Sequence, residues 1–126
     1  PVKAPEAVTL LSQSSVSVRL AAPAALVIEA ALEQMQVKHD IFARAEQVVA
    51  ADAVLATNTS SLSVAEIARP LARPERLLGL HFFNPAPVMK LVELVAHAGT
   101  APQTLALARQ VTEAAGKTVV DCPDRP

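Results

Sequence analysis

A histidine in an apolar setting, followed by a carboxylate, is the feature of this sequence that could do chemistry. His81 opens the run His81-Phe82-Phe83-Asn84-Pro85, and Glu93 lies twelve positions downstream, after the apolar run Val88-Met89-Lys90-Leu91-Val92. An imidazole has an unperturbed pKa of about 6.5, and a carboxylate partner fixes its tautomer and stabilises the imidazolium. The two residues could therefore form a proton-abstracting pair. Adjacent strands joined by a turn around residues 84–87 would bring them together.

The alternative is that His81 has only a structural role. A histidine beside two phenylalanines is more often a hydrogen-bonded residue of a core or an interface than a general base. His39 and His97 are interpreted as surface residues, because neither has a second ligand at a spacing typical of metal sites, and no metal is predicted. The catalytic interpretation of His81 therefore needs support from the rest of the chain.

Composition predicts one globular domain. The chain has 126 residues, of which 52% are hydrophobic, so it can bury a substantial core. Its formal charge is -1, with no block of like charges, which argues against nucleic acid or an electrostatic membrane patch as a partner. The longest apolar stretch, Leu20 to Ile28, is far shorter than the roughly 20 residues that cross a bilayer, and no signal peptide is recognised.

Cysteine and glycine usage narrows the possible functions further. Cys122 is the only cysteine, so no internal disulfide or Cys-x-x-Cys motif can form, and a reducing cytoplasm is the expected location. The three glycines, Gly79, Gly99 and Gly116, are too far apart to form a glycine-rich phosphate loop. Neither a Walker motif nor a dinucleotide fingerprint is present in these residues.

The first half of the chain alternates between strand and helix patterns. Residues 1–24 are hard to interpret, although alternation at Val16, Val18 and Leu20 is typical of a short strand. Residues 26–28 form a compact apolar run that predicts a buried strand, and apolar residues then recur at helical spacing from 37 to 49. A second strand is predicted over 53–56. A short helix follows over 64–68, with Ser63 as its N-cap in a capping box with Glu66.

The second half predicts two short apolar strands, a helix and a last strand. The strands lie over 77–83 and 89–95, the helix runs from Pro102 to about Ala115 and ends at Gly116, and residues 117–120 form the final strand. Buried strands that alternate with helices indicate an α/β fold with a parallel sheet and a hairpin-like insert over about 77–96. An all-helical fold is disfavoured by the short Val/Leu/Ile runs.

Three segments together resemble the NAD-binding domain of the 3-hydroxyacyl-CoA dehydrogenases, including the 3-hydroxybutyryl-CoA enzymes. The resemblance runs from about Ala25 to Val120, and Ser60 precedes His81 by 21 positions, as in the family. The fold is then a partial Rossmann-like parallel sheet, over residues 25–121, with a truncated linker over 122–126. The segments are Ala30-Ala31-Leu32-Glu33 with Lys38, Ala56-Thr57-Asn58-Thr59-Ser60-Ser61-Leu62, and the continuous run from His81 to Glu93.

This resemblance implies an NAD-dependent oxidation of (S)-3-hydroxyacyl-CoA to 3-oxoacyl-CoA in fatty acid or short-chain acyl-CoA metabolism. His81 matches the general base, Glu93 the residue that orients it, and Ser60 a residue that hydrogen-bonds near the substrate oxygen and the nicotinamide ribose. Glu33, Lys38 and Asn84 match positions that contact NAD. Without the resemblance, Lys38 and Glu33 would be interpreted as surface charges and Ser60 as a helix-entry residue.

The sequence also departs from the family pattern. A first βαβ unit with a Gly-x-Gly-x-x-Gly turn is expected before the strand at 26–28 and is not recognised here. The family's Asp-x-Pro-Gly-Phe linker begins at Asp121, but Asp124-Arg125-Pro126 follow Pro123. The family's helical domain, which contacts acyl-CoA and forms the dimer, would follow that linker. A fragment of such an enzyme, with little activity by itself, is therefore expected.

Two other functions are compatible with these residues. The chain could be a non-catalytic interaction module that reuses part of a dehydrogenase sheet. Alternatively, Ser60 and His81 could act as a nucleophile pair in an acyl hydrolase, although no Gly-x-Ser-x-Gly elbow surrounds Ser60.

Overall fold

One mixed sheet, flanked by helices, forms the part of the chain that the structure describes. The structure is a computed structural model, and it describes residues 24–85 and 87–124 together with the backbone of a strand at 8–11. Within these residues, six strands lie in the order β1-β2-β3-β4-β5-β6. Neighbouring strands are parallel, except that β4 and β5 are antiparallel. The expected α/β fold with a hairpin-like insert is confirmed.

The elements of the first half follow the apolar patterns of the sequence. Strand β2 (Leu26–Glu29) precedes helix α1 (Met35–Val48), which buries Ile41, Phe42 and Ala45 at helical spacing. Strand β3 (Val54–Thr57) leads to the short helix α2 (Val64–Ala68), where the Ser63 hydroxyl accepts a hydrogen bond from the backbone N–H of Glu66 at 3.3 Å. The predicted N-cap is thus confirmed.

The second half contains the predicted hairpin and the last helix. Strand β4 (Leu77–Phe82) and strand β5 (Leu91–Val95) are joined by a turn in which the N–H groups of Val88 and Met89 donate to the carbonyl of Pro85. Helix α3 (Pro102–Ala114) and strand β6 (Thr118–Cys122) follow. The helix ends before Gly116, whose φ of 87° lies in the left-handed region that glycine adopts without strain.

Alternate residues of the buried strands face two separate cores. On one face, Val27, Leu55 and Leu77 pack against α1 and α2. On the other face, residues such as Leu78 and Leu80 pack against α3. Because successive side chains of a strand point to opposite faces, His81 lies on the α2 face of β4 while its neighbours Leu80 and Phe82 lie on the α3 face.

The strand found near the N-terminus differs from the expectation. Strand β1 (Val8–Leu11) pairs in parallel with β2, with Val8 opposite Leu26. The strand predicted from the alternation at 16–20 lies outside the described residues. The sequence places no glycine between β1 and β2, so this strand is not followed by a glycine fingerprint.

No helix in the described ranges has both the length and the apolar character needed to cross a membrane.

Candidate active site

The predicted pair of His81 and Glu93 is formed. The two residues are directly opposite each other in the antiparallel ladder of β4 and β5, so their side chains point to the same face of the sheet. The Nδ1 atom of His81 lies 2.9 Å from Oε1 of Glu93, and the side chains are 21% and 35% exposed, respectively. The Phe83 ring packs against the imidazole at a centroid distance of 4.7 Å. The imidazole is therefore held by an acid while part of it remains accessible.

Close packing of α2 against the sheet forms the wall of this site. A Cβ atom added to Gly79 would lie 3.0 Å from Cβ of Val95 and 3.1 Å from Cγ2 of Val64, the first residue of α2. A larger residue at position 79 would therefore push the helix away from β4 and β5. Gly79 is two residues before His81 on the same face, so this packing also sets the distance between α2 and the imidazole.

A cleft of about 280 Å³ lies between the end of β3, α2 and the ends of β4 to β6. Ser60, His81 and Glu93 all line it, although they are widely separated in the sequence. The sheet therefore brings together the three residues that the sequence analysis assigned to catalysis. The remaining lining residues are Thr59, Leu62, Val64, Val95, Cys122, Pro123 and Asp124.

Glu33 holds the loop that carries Ser60. Its Oε2 atom accepts hydrogen bonds from the Thr59 hydroxyl at 2.7 Å, from the backbone N–H groups of Ser60 and Ser61 at 2.9 and 3.0 Å, and from the hydroxyls of Ser60 and Ser61. Burial alone would raise the pKa of Glu33, but these hydrogen bonds stabilise the carboxylate and lower its pKa to about 2. Glu33 is therefore ionised throughout the neutral range.

Lys38 is buried, so it is not the surface charge that would be expected of it without the family resemblance. Its side chain is 1% exposed, and its ammonium lies 2.6 Å from Oε2 of the fully buried Glu29 and 3.4 Å from Oε1 of Glu33. The other Glu29 oxygen accepts a hydrogen bond from the Thr57 hydroxyl at 2.6 Å, and Oε2 also accepts from the N–H of Ala31. A buried charged network therefore connects β2, α1 and β3, and it reaches the Ser60 loop through Glu33.

Glu93 has a second partner that the sequence analysis did not identify. The thiol of Cys122 donates to Oε2 of Glu93 at 3.3 Å, so each carboxylate oxygen has its own donor. Hydrogen bonds from His81 and then from Cys122 hold the pKa of Glu93 below its ordinary value, against the opposing effect of burial. Burial, the hydrogen bond to Glu93 and the negative charges of Glu93 and Asp121 raise the pKa of the Cys122 thiol.

Two asparagines lie near the end of β4, one exposed and the other hydrogen-bonded to the strand. Asn84 is exposed in the turn after β4. Asn58 accepts a hydrogen bond from the N–H of Phe82 at 2.8 Å through its Oδ1 atom, and so connects the ends of β3 and β4. The sequence analysis assigned a role to Asn84 but not to Asn58, because a contact between neighbouring strand ends requires the strand order to be known.

Asp124 also had no predicted role. Its carboxylate accepts hydrogen bonds from the N–H groups of Val64 and Ala65, at 2.8 and 2.9 Å, and from the Ser63 hydroxyl. The segment after β6 is therefore attached to the start of α2 at the edge of the cleft. The family resemblance predicts glycine at this position, and glycine could not make this side-chain contact.

The other two histidines are partly buried rather than surface residues, which corrects the expectation for them. His39 Nε2 lies 2.9 Å from the carbonyl oxygen of Glu66, and His97 Nε2 lies 2.9 Å from that of Pro74. Each ring nitrogen can therefore donate to a backbone acceptor. Within the residues that the structure describes, no three His, Cys, Asp or Glu side chains are arranged to hold a metal ion.

The low pKa of Glu33 makes stability depend on pH below neutrality. Its pKa of about 2 in the folded chain is below its ordinary value of 4.5, so the stabilisation is present above about pH 4.5 and is lost as the pH falls toward 2. We expect Glu33→Gln to remove this dependence. Urea denaturation of both proteins between pH 2 and 5 would show a difference in stability that shrinks as the pH falls.

Glu113→Gln is the matched control, because Glu113 is exposed on α3 and far in sequence from the loop. This variant should keep the pH dependence of the unaltered chain. If Glu33→Gln and Glu113→Gln show the same pH profile, Glu33 does not stabilise the loop as an anion.

The raised pKa of Cys122 predicts slow alkylation near neutral pH. The thiolate is the reactive form, and Cys122 is the only cysteine, so thiol modification reports on this residue alone. We expect Glu93→Gln to increase the rate of reaction with iodoacetamide at pH 8, because it removes the neighbouring negative charge and lowers the pKa of the thiol. Equal rates for the two proteins would show that Glu93 has no influence on the thiol.

Comparison with known proteins places the chain in a family. The model of the 3-hydroxyacyl-CoA dehydrogenase NAD-binding domain matches residues 2–125, which extends the match beyond the segment recognised in the sequence analysis. The chain is 48% identical over 105 residues to 3-hydroxyadipyl-CoA dehydrogenase of Escherichia coli K12, covering 83% of this chain and 22% of that protein. It is 42% identical over 101 residues to 3-hydroxybutyryl-CoA dehydrogenase of Clostridioides difficile, and this match covers 80% of this chain and 36% of that protein.

Solved structures show the same relationship. The 3-hydroxybutyryl-CoA dehydrogenase of Escherichia coli K12 superposes with a TM-score of 0.82 at 46% identity, covering 86% of this chain and 23% of that one. The (S)-3-hydroxybutyryl-CoA dehydrogenase PaaH1 of Ralstonia eutropha gives a TM-score of 0.83 at 34% identity, covering 87% and 39%. The cleft thus lies at the edge of a Rossmann-like sheet of the kind found in dehydrogenases. The chain belongs to the family of 3-hydroxyacyl-CoA dehydrogenase NAD-binding domains, and spans between about a fifth and two fifths of these relatives.

Proposed function

We propose that this domain contributes the general base of an NAD-dependent oxidation of (S)-3-hydroxyacyl-CoA to 3-oxoacyl-CoA. The observation that carries the proposal is the 2.9 Å contact between His81 Nδ1 and Glu93 Oε1 at the cleft that Ser60 also lines. A base held by a carboxylate is suited to removing a proton from a hydroxyl group. The family names support an acyl-CoA as substrate and NAD as cofactor.

His81 would act through Nε2. Glu93 accepts from the Nδ1–H group, which leaves the lone pair on Nε2 for the proton of the substrate hydroxyl. The hydroxyl proton moves to Nε2 while the C–H bond of the carbon that bears the hydroxyl group breaks, and this carbon becomes a carbonyl. The hydrogen leaves that carbon as a hydride, and NAD, when bound, supplies the acceptor for it. Glu93 then stabilises the imidazolium that forms on His81.

Ser60, Glu33, Lys38 and Asn84 would form the cofactor-proximal part of the site. Glu33 and Ser60 follow β2 and β3, at the carboxyl ends of parallel strands, where dinucleotides lie in folds of this type. The exposed Ser60 and Asn84 side chains fit hydrogen bonding to a ribose and to the substrate oxygen. Because Lys38 is buried, we propose that it supports this site by holding Glu33.

The sequence contains no glycine-rich loop of the kind that holds a pyrophosphate. Holding phosphates takes closely spaced backbone N–H groups, for which glycine-rich loops are suited, and the three glycines of this sequence are widely spaced. We therefore propose that the 126 residues by themselves bind NAD weakly and have little activity. A spectrophotometric assay with acetoacetyl-CoA and NADH tests this, and turnover comparable to an intact dehydrogenase would contradict it.

A chimera tests the function of the domain itself. The 105 residues of Escherichia coli 3-hydroxyadipyl-CoA dehydrogenase that match this chain would be replaced by the corresponding residues of this chain. We expect the chimera to reduce NAD when it is given (S)-3-hydroxybutyryl-CoA or (S)-3-hydroxyadipyl-CoA. A folded chimera that binds NAD but turns over neither compound would overturn the proposal.

The acyl hydrolase is not supported by the site. The Ser60 hydroxyl donates to Glu33 at 3.3 Å, and no hydrogen bond from it to His81 is found among the described residues. A serine nucleophile requires its hydroxyl to donate to the base. The interaction module stays a possible function, and the chimera distinguishes it, because a domain that serves only as an interaction module would support no turnover of either acyl-CoA.

A further inference from the structure

Cys122 is the one side chain at the cleft that contacts the acid of the catalytic pair and has no role in the proposed reaction. The Glu93 carboxylate lies between two donors, with Oε1 2.9 Å from His81 Nδ1 and Oε2 3.3 Å from Cys122 Sγ. The three residues come from three adjacent strands, β4, β5 and β6, and all three line the cleft. The thiol thus contacts the carboxylate oxygen that is not bonded to the imidazole.

The register of the sheet places this thiol. Strands β5 and β6 are parallel, with Val95 opposite Cys122, so Cys122 lies on the same face as Val95 and Glu93. The raised pKa of Cys122 means that the thiol is protonated at neutral pH and can donate. Cys122 is the last residue of β6, so its position also depends on how the following segment, with Asp124, is attached to α2.

We propose that Cys122 is a positioning residue that fixes the plane of the Glu93 carboxylate, so that Oε1 faces Nδ1 of His81. The importance of this position for catalysis rests on the proposed function of His81. The last torsion of a glutamate side chain is broad and roughly two-fold, so a single hydrogen bond from His81 leaves the carboxylate free to rotate. A second donor on the other oxygen restricts that rotation and keeps the imidazole in the Nδ1–H tautomer.

The test compares variants of this chain that keep or remove the donor at position 122. Cys122→Ala and Cys122→Val both remove it, and the valine keeps most of the side-chain volume, so a cavity effect in one variant is separated from loss of the hydrogen bond. Cys122→Ser restores a donor. Thr118→Ala is the matched control, because Thr118 is an exposed residue of the same strand and the same sheet face, and it lies opposite Leu91 rather than Glu93.

The readouts are the titration of the Glu93 carboxyl carbon and the ratio of the His81 tautomers, both measured by NMR. The charged or titratable groups around Glu93 are His81 on β4, Cys122 and Asp121 on β6, and Asp124 in the segment after it. Only the group at position 122 differs between the variants. We expect the alanine and valine variants to shift the Glu93 titration upward and to reduce the fraction of the Nδ1–H tautomer. The serine variant and Thr118→Ala should keep both values of the unaltered chain.

Two results would overturn the proposal. One is that the alanine and valine variants leave both values unchanged, which would mean that Cys122 does not hold the carboxylate. The other is that the serine variant behaves like alanine, which would mean that donation is not the property that matters. These readouts need neither NAD nor turnover, so they separate a wrong role for Cys122 from a wrong function for the domain.

Discussion

Replacing His81 by glutamine is expected to lower kcat of the chimera by about 10² to 10⁴, the usual contribution of a positioned general base. Glutamine can still donate a hydrogen bond to Glu93, but its amide cannot accept a proton at neutral pH. The loss should therefore fall on kcat, while KM for the acyl-CoA changes little. The rate of NADH formation over a range of acyl-CoA concentrations gives both constants.

His39→Gln is the control for this experiment. His39 is also partly buried and contacts a backbone carbonyl, that of Glu66, but it is not among the residues lining the cleft. This variant should keep the kcat of the unaltered chimera. If His81→Gln retains more than about a tenth of the activity, a positioned general base at this residue is excluded, since such a base contributes at least about 10².

Replacing Lys38 by alanine is expected to lower the free energy of unfolding by about 3 to 5 kcal/mol, the usual cost of removing one partner of a buried ion pair. The lost ammonium lies 2.6 Å from Glu29, which has no exposed surface and would be left as a buried charge without a cation. Lys38→Met, which fills most of the space, should also destabilise the chain, because the charge of Glu29 stays uncompensated. Urea denaturation followed by circular dichroism measures both effects.

Lys90→Ala is the control for the loss of a lysine. Lys90 is exposed before β5, and substitutions at such positions usually change stability by less than about 0.5 kcal/mol. If Lys38→Ala and Lys90→Ala have similar unfolding free energies, the buried network does not stabilise the domain. The Ser60 loop would then be held by its contacts with Glu33 alone.

The strands and helices from residue 26 onward could be predicted because their signals are local. Short apolar runs mark β2 to β5, helical spacing of apolar residues marks α1, and Ser63 and Gly116 mark the ends of helices. The pairing of His81 with Glu93 also followed from local reasoning, since a short turn between two strands produces an antiparallel ladder. These features were confirmed with boundaries shifted by at most two residues.

The contacts that could not be predicted depend on strand order. Without the family resemblance, Lys38 would be interpreted as a surface charge, but β2 and α1 place it against Glu29, and the mutual neutralisation of the two charges makes its burial possible. Cys122 lies 29 positions after Glu93, and the two meet only because β6 joins the edge of β5. No spacing rule in the sequence connects residues across a parallel pair of strands.

The family resemblance predicted cofactor contacts, which neither local sequence patterns nor strand order could indicate. It connected Ser60, Glu33 and Asn84 with a cofactor, although a serine-rich loop and two exposed polar residues are not informative by themselves. The structure shows that Glu33 and Ser60 are in contact, whereas Asn84 lies in the turn after β4. Whether these residues contact NAD stays a prediction.

We propose that Glu93 assists catalysis through His81, so that the two residues act as one unit. A double-mutant comparison in the chimera tests this most directly, with kcat measured for His81→Gln, Glu93→Gln and the two substitutions together. If Glu93 acts only by holding the imidazole, the double variant should be no slower than His81→Gln alone. If the two losses multiply instead, Glu93 acts on the reaction independently and the account of the pair is wrong.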